Sequence, residues 1–211
     1  MSYKKESELS PDFTEKNNNT YTRIARSYDF LIKVLPIWKN WITTAIPHIQ
    51  GNKVLEVSFG TGLLLTKYAD QFETYGIDYN TKMVEIANRN LKMKNISATL
   101  AEGNVEKLPF DDNVFDSIIN TMAFTGYPDG DKAMSEFHRV LKPQGRLIIV
   151  DINFPNNMNL FGTWLTKLWI TLGDIVRDMS PLFNKYDFNF TDQEVGGFGS
   201  VHLYVATKSA Q

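Results

Sequence analysis

Lys53-Val54-Leu55-Glu56-Val57-Ser58-Phe59-Gly60-Thr61-Gly62 is the stretch on which the reading of this chain turns. A short apolar run ends in a glycine turn, and the helical pattern Leu63–Ala69 follows. Glycine at 60 and 62 permits positive φ and close backbone approach. A strand, a glycine turn and a helix in that order bring backbone N–H groups and the positive end of a helix to a ligand. The next strand, Thr74–Asp78, closes on an acid 16 residues beyond Gly62. A carboxylate there can accept hydrogen bonds from both ribose hydroxyls of a nucleoside. A dinucleotide fingerprint would need a third glycine, but Leu65 stands at that position, which disfavours NAD or FAD.

Outward from this stretch the alternation continues. Ala98–Gly103, Phe115–Asn120 and Arg146–Ile152 read as further strands. Thr81 is placed to cap a helix running to Leu91, with Glu85 near the capping-box position. Asp131–Leu141 is amphipathic, with Ala133, Met134, Phe137, Val140 and Leu141 on one side; Pro143 and Gly145 are read as its stop. Short apolar strands without period-2 alternation, separated by helices, indicate a parallel sheet covered on both faces. Right-handed connections then make an α/β, Rossmann-like doubly wound sheet with helices on both faces. The C-terminal end differs. Val201, Leu203 and Val205 alternate with His202, Tyr204 and Ala206 after the turn Gly196-Gly197-Phe198-Gly199. That pattern predicts an antiparallel hairpin with Asp187–Glu194 at the sheet edge.

Residues 1–19 are polar and read as a flexible tail, which leaves 20–211 as a single domain. Helical patterning starts at Tyr21, is interrupted at Pro36 and stops near Pro47. Residues 153–186 are too long for a simple connection and are read as a helical insertion. Its Phe161, Trp164, Leu165, Leu168, Leu172 and Ile175 share one helical face. That face either packs on the core or forms a lid over an apolar substrate, able through 160–177 to skim a membrane. Two tryptophans on so short a helix favour the lid.

Composition narrows the chemistry. Lys and Arg number 22 against 24 Asp and Glu, a formal charge of −2 that argues against a nucleic-acid footprint. Cysteine is absent, so thiol catalysis, disulfides and thiolate metal sites are excluded. Three histidines, at 48, 138 and 202, argue against a zinc site, and no metal is expected. No apolar run approaches the ~20 residues of a membrane span, and no leader opens the chain, so a cytoplasmic protein is expected.

Four segments together resemble the class I S-adenosylmethionine-dependent methyltransferases: VLEVSFGTG, GIDYN around Asp78, AEGNVEKLPFDDNVFDSII, and EFHRVLKPQGRLIIVD. The resemblance spans about Tyr21 to Lys208. It implies S-adenosyl-L-methionine as cofactor and S-adenosyl-L-homocysteine as product. It further implies that Glu56, Ser58, Gly60 and Gly62 line the methionine part, that Asp78 holds the ribose, and that Tyr79 lies against the adenine. Asn104 and Val105 would meet the adenine edge, Asn120 and Thr121 would lie near the sulfonium, and Tyr21 would cover the cofactor. Ser58-Phe59 departs from the family pattern, which usually has glycine followed by a small residue or cysteine. A Cβ at 58 would crowd the cofactor.

Methyl transfer chiefly needs a nucleophile held in line and water excluded. A proton must still leave an amine or carbon acid, and Tyr127 and Asp151, after the fourth and fifth strands, are the candidate catalytic residues. The chain's ends and its tryptophan-bearing segment resemble two branches, the ubiquinone/menaquinone-type C-methyltransferases and the phosphatidylethanolamine N-methyltransferase-like enzymes. Both imply a small-molecule or lipid-like acceptor. The alternative is a non-catalytic protein of the same fold that binds the cofactor or a partner.

Overall fold

The computed structural model describes residues 36–210. The expected tail over 1–19 and the part of the helical stretch before Pro36, Tyr21 included, lie outside them.

In chain order the elements are α1 (Pro36–Thr43), β1 (Lys53–Val57), α2 (Leu65–Tyr68), β2 (Glu73–Asp78), α3 (Thr81–Lys92), β3 (Thr99–Glu102), β4 (Phe115–Thr121), α4 (Gly130–Val140), β5 (Leu141–Ile152), α5 (Leu160–Leu172), α6 (Met179–Lys185), β6 (Phe188–Gly196) and β7 (Val201–Lys208). They build one seven-stranded sheet in the order β3-β2-β1-β4-β5-β7-β6. The first five strands are parallel; β7 runs antiparallel to both β5 and β6. The strand order reverses between β1 and β4, and in open sheets of this kind ligands bind outside the carboxyl ends at such a switch point.

Both faces of the sheet are buried, which explains why its strands read as continuous apolar runs. In β4, Ile118 joins one core cluster and Ile119 the other; in β5, Leu147 and Ile149 face one side while Ile148 and Val150 face the other. All six side chains are fully buried. Each contributes about 1.5–3 kcal/mol relative to exposure, which pins the register at the centre of the sheet. The predicted stripe of α4 is present as expected, with Ala133, Met134, Phe137 and Val140 at 0% exposure.

Several boundaries differ from the sequence reading. Asn80, not Thr81, caps α3, its side chain accepting from the amides of Lys82 and Met83. The Thr81 hydroxyl donates to Glu102 and Glu85 pairs with Lys82, so no capping box forms. Asp129 caps α4 by accepting from Lys132 N–H. Pro143 and Gly145 do not precede β5 but lie inside it. Leu141 pairs with Phe115, and pairing resumes at Arg146 with Ser117, so both sit in an irregular excursion where no ladder bond is required of proline.

Of the two readings of α5, core packing does not hold for its apolar face: Phe161, Trp164 and Leu172 are 71%, 64% and 68% exposed. The opposite side docks instead. A Cβ on Gly162 would lie 2.3 Å from the Phe198 carbonyl oxygen and 2.4 Å from Pro155, so only glycine allows that approach. The buried Thr166 hydroxyl reaches the Asn153 and Gly162 carbonyls at 2.7 and 3.0 Å. Trp169 packs on Trp38 of α1, with ring centroids 5.9 Å apart. Of the residues read as one face, only Ile175, beyond the helix, is deeply buried.

Candidate active site

The carboxyl ends of β1, β2 and β4 open onto a cleft of about 260 Å³. Ser58, Gly60, Asp78, Tyr79, Asn104, Val105 and Tyr127 all line it. A smaller pocket of about 60 Å³ continues from it, sharing Ser58, Gly60 and Met122 and adding Glu56 and Thr121. Nine of the expected residues thus meet in one trench. Gly62, Asn120 and Asp151 line neither part.

The turn after β1 is built by backbone conformation. Gly60 and Gly62 have φ of 56° and 73°. A Cβ on Gly60 would meet nothing within 4 Å, so the chain is open to a ligand there; one on Gly62 would meet Ala87 at 2.9 Å, so that glycine seats the turn on α3. Ser58 and Met122, at the ends of β1 and β4, also take positive φ, both 53°. Non-glycine residues held there store on the order of 1–3 kcal/mol each, a strain found mostly at functional sites.

Asp78 is 7% exposed at the end of β2. Its Oδ2 accepts from Gly60 N–H at 2.8 Å and its Oδ1 from Asn80 N–H at 2.9 Å. Burial outweighs these bonds and lifts its pKa to about 6. Glu56 is deeper, accepts from the Tyr68 hydroxyl at 2.9 Å, and is pushed by burial to about 8. Tyr79 is exposed on the rim, and the Asn104 side chain folds back to accept from Glu106 N–H at 2.9 Å.

Tyr127 is 8% exposed, and its hydroxyl lies 2.7 Å from Ser58 Oγ and 2.7 Å from Asn120 Nδ2. Burial pushes this phenol up, so it keeps its proton at neutral pH. Asp151 is buried at the end of β5, where Thr125 N–H donates to its Oδ2 at 3.0 Å and Ile152 N–H to its Oδ1 at 2.7 Å. The sequence reading missed Met83, Glu106, Leu172, Gly173 and Asp174, which also line the cleft. The last three carry no motif and reach the site only because α5 is docked by Gly162 and Thr166.

The histidines lie elsewhere. Buried His202 contacts Asp192 at 2.6 Å and the Phe154 carbonyl at 3.1 Å, and His138 packs against Phe188. Among the described residues, no group of three or more His, Asp or Glu could hold a metal ion, and no helix is long and apolar enough to cross a membrane.

Comparison with known proteins gives this trench its family. A family described as a methyltransferase domain matches residues 55–149. The demethylmenaquinone methyltransferase of Thermotoga maritima is 32% identical over 161 residues, covering 71% of this chain and 69% of that one. The chain belongs to the class I S-adenosylmethionine-dependent methyltransferases. This methyltransferase is also 28% identical to the ubiquinone/menaquinone biosynthesis C-methyltransferase UbiE of Haemophilus ducreyi, over 85% of its own length and 66% of the relative's. The chain therefore spans about two thirds of the curated relatives it matches. A solved S-adenosylmethionine-dependent methyltransferase from Thermotoga maritima superposes with a TM-score of 0.72 at 17% identity, over 90% of this chain and 98% of that one. The geranyl diphosphate C-methyltransferase of Streptomyces coelicolor A3(2) does so at 0.64 and 13%, over 81% and 78%. These two likenesses establish the fold.

The residues of this methyltransferase fit its cofactor. Space is open over Gly60, each Asp78 oxygen holds a single hydrogen bond and keeps a lone pair, and the buried Asn120 Oδ1 has no partner. The Ser58-Phe59 departure does not close the trench. Phe59 is 6% exposed and joins the core, where its ring edge occupies the space a Cβ on Gly76 would need, 2.8 Å away. Ser58 Oγ is tied to Tyr127.

Proposed function

We propose that this enzyme methylates an apolar, ring-bearing acceptor of the quinol type, with the acceptor's tail lying along α5. One observation carries the reading. Leu172 belongs to the exposed apolar face of α5 and also lines the cleft, so an apolar track runs from the surface to the trench. The names of the two curated relatives, demethylmenaquinone methyltransferase and ubiquinone/menaquinone C-methyltransferase, support the same acceptor class.

S-adenosylmethionine, when bound, supplies a methyl group already activated on a sulfonium. The chain's own residues then bind and orient. Asp78 would accept from the ribose hydroxyls, Tyr79, Asn104 and Val105 would hold the adenine, and Glu56 and Thr121 would meet the methionine end. Asn120 would lie near the sulfonium. Tyr127 fixes the trench floor by joining Ser58 to Asn120, so the carboxyl ends of β1 and β4 keep their spacing. Orientation of this kind can lower a barrier by roughly 7–11 kcal/mol.

The exposed face formed by Leu160, Phe161, Trp164, Leu168 and Leu172 also favours peripheral contact with a lipid surface, where such an acceptor would partition. The test is incubation with methyl-labelled S-adenosylmethionine and a prenylated demethylmenaquinol, with the product read by mass spectrometry. Methylation at ring carbon is expected. Cofactor binding without transfer to the quinol would overturn the acceptor reading.

A further inference from the structure

Thr125 sits between two carboxyls with one hydrogen to give. Its Oγ1 lies 3.0 Å from Asp151 Oδ1 and 2.8 Å from Asp174 Oδ1. A threonine hydroxyl has one proton and accepts through its lone pairs. If both carboxyls are ionised, one of these two contacts sets acceptor against acceptor. One added proton resolves it: either carboxyl, once protonated, donates to Oγ1, and Oγ1 donates to the other. The three groups thus have room for one added proton between them.

Their placement gives that proton a use. Asp174 follows Gly173 at the end of α5 and lines the cleft, whereas Thr125 and Asp151 are 5% and 3% exposed and do not. The segment is fixed in place. Ile175 N–H donates to the Thr125 carbonyl at 2.7 Å, and Arg177 donates to the carbonyls of Phe124, Ile175, Tyr127 and Pro128.

We infer that Asp174 is the group that takes up the proton released by the methyl acceptor, with Thr125 and Asp151 as positioning residues behind it. The inference rests on the acceptor reading above. The acceptor's ring carbon or oxygen gives up its proton to an Asp174 oxygen and gains the methyl group; the methyl–sulfur bond breaks with its electron pair left on sulfur. The sulfonium charge and the carboxylate charge disappear together, so the net charge of the cleft does not change. Burial raises both carboxyls above the ordinary range, which makes each a stronger proton acceptor. The other charged or titratable groups around the pair are His202, opposite Asp151 in the β5–β7 register, Arg177 beside the Thr125 turn, and Tyr127, Asp78, Tyr79 and Glu106 on the cleft wall.

Two readouts test this. The first uses the enzyme alone, labelled with carboxyl-carbon-13 aspartate and titrated by NMR, with Asp174→Asn and Asp151→Asn assigning the signals. The two carboxyls are expected to titrate in linked steps. In Asp174→Asn, Asp151 should titrate in a single step displaced toward acid. An Asp151 curve unchanged by Asp174→Asn would overturn the shared proton. The second is turnover of the prenylated demethylmenaquinol. Asp174→Asn should lose about 100-fold or more in kcat with little change in KM for S-adenosylmethionine, Asp174→Glu should recover part of it, and the alkaline-favoured limb of the wild-type pH profile should vanish. Wild-type kcat in Asp174→Asn would overturn the role. A wild-type enzyme inert toward the quinol would instead overturn the acceptor reading, and with it the proton's source, while the titration still decides the pair.

Discussion

The Tyr127 hydroxyl stands 2.7 Å from Ser58 Oγ, joining the turn after β1 to the loop after β4 across the floor of the trench. Asn120 Nδ2 donates to the same hydroxyl at 2.7 Å, so three polar groups from three segments satisfy one another where water has little access. Tyr127→Phe removes the shared atom and leaves Ser58 Oγ and the Asn120 amide short of a partner. We expect a loss of about 1–3 kcal/mol in urea unfolding, together with weaker binding of S-adenosylhomocysteine by calorimetry. Unchanged stability and affinity would remove Tyr127 from the binding floor.

Ser58→Gly acts on the other end of that bond. At φ 53° serine is strained, and glycine relieves this while adding unfolded-state entropy and losing the contact to Tyr127. These terms oppose one another, so stability should stay within about 1 kcal/mol of wild type while cofactor affinity is kept or improved. Ser58→Val, β-branched at positive φ, should be destabilised well beyond that in the same unfolding measurement.

Burial of acids sets the pH response of the free enzyme. Glu56 rises from 4.5 to about 8, and Asp78 and Asp151 from 3.8 to about 6. Each folded pKa exceeds its unfolded value, so between these values the folded chain binds more protons and stability falls as pH rises. The melting temperature should therefore decline from about pH 5 to pH 8, the His138 ring, whose pKa is lowered by burial, opposing this weakly near pH 6. Asp78→Asn should flatten the part of the decline that lies below about pH 6. In the wild type, S-adenosylhomocysteine should bind more tightly as pH rises through about 6, with proton release visible as a buffer-dependent heat. A melting temperature that rises steadily across this range would contradict the burial of these carboxyls.

Exposed apolar residues on α5 give a test at the surface. The double variant Phe161→Ser/Trp164→Ser removes two side chains that are 71% and 64% exposed, so its unfolding midpoint should hardly move. Flotation with phosphatidylcholine vesicles should show the wild type associated and the variant free. Equal flotation of the two would assign the face another role. Gly162→Ala supplies the converse case: its Cβ would collide with Phe198 and Pro155, so a loss of about 1–3 kcal/mol is expected.

Much of this site was legible in the chain because its signals are local. A glycine turn after an apolar run and an acid closing the next strand are consequences of backbone conformation, and Gly60 and Asp78 stand 2.8 Å apart in the fold. The buried stripe of α4 was equally readable, because its polar face is continuous. The orientation of α5 was not. Periodicity reports that Phe161, Trp164 and Leu172 share a side, but the docking side is chosen by Gly162 and Thr166, whose small size and one hydroxyl leave no hydrophobic signal. Asp174 carries no local signal for the same reason: it enters the cleft through a tertiary placement. Pro143 and Gly145 read as a stop because the excursion that lets β5 tolerate them depends on pairing with Phe115 and Ser117 of a distant strand.

The central claim, that the trench at the ends of β1, β2 and β4 holds S-adenosylmethionine, is tested most directly by calorimetric titration with S-adenosylhomocysteine at pH 7.5, wild type against Asp78→Ala. The account predicts one-site binding in the micromolar range for wild type and at least a tenfold loss in the variant, about 1.4 kcal/mol. Equal affinity in the two proteins, or no binding to a folded wild type, would contradict it.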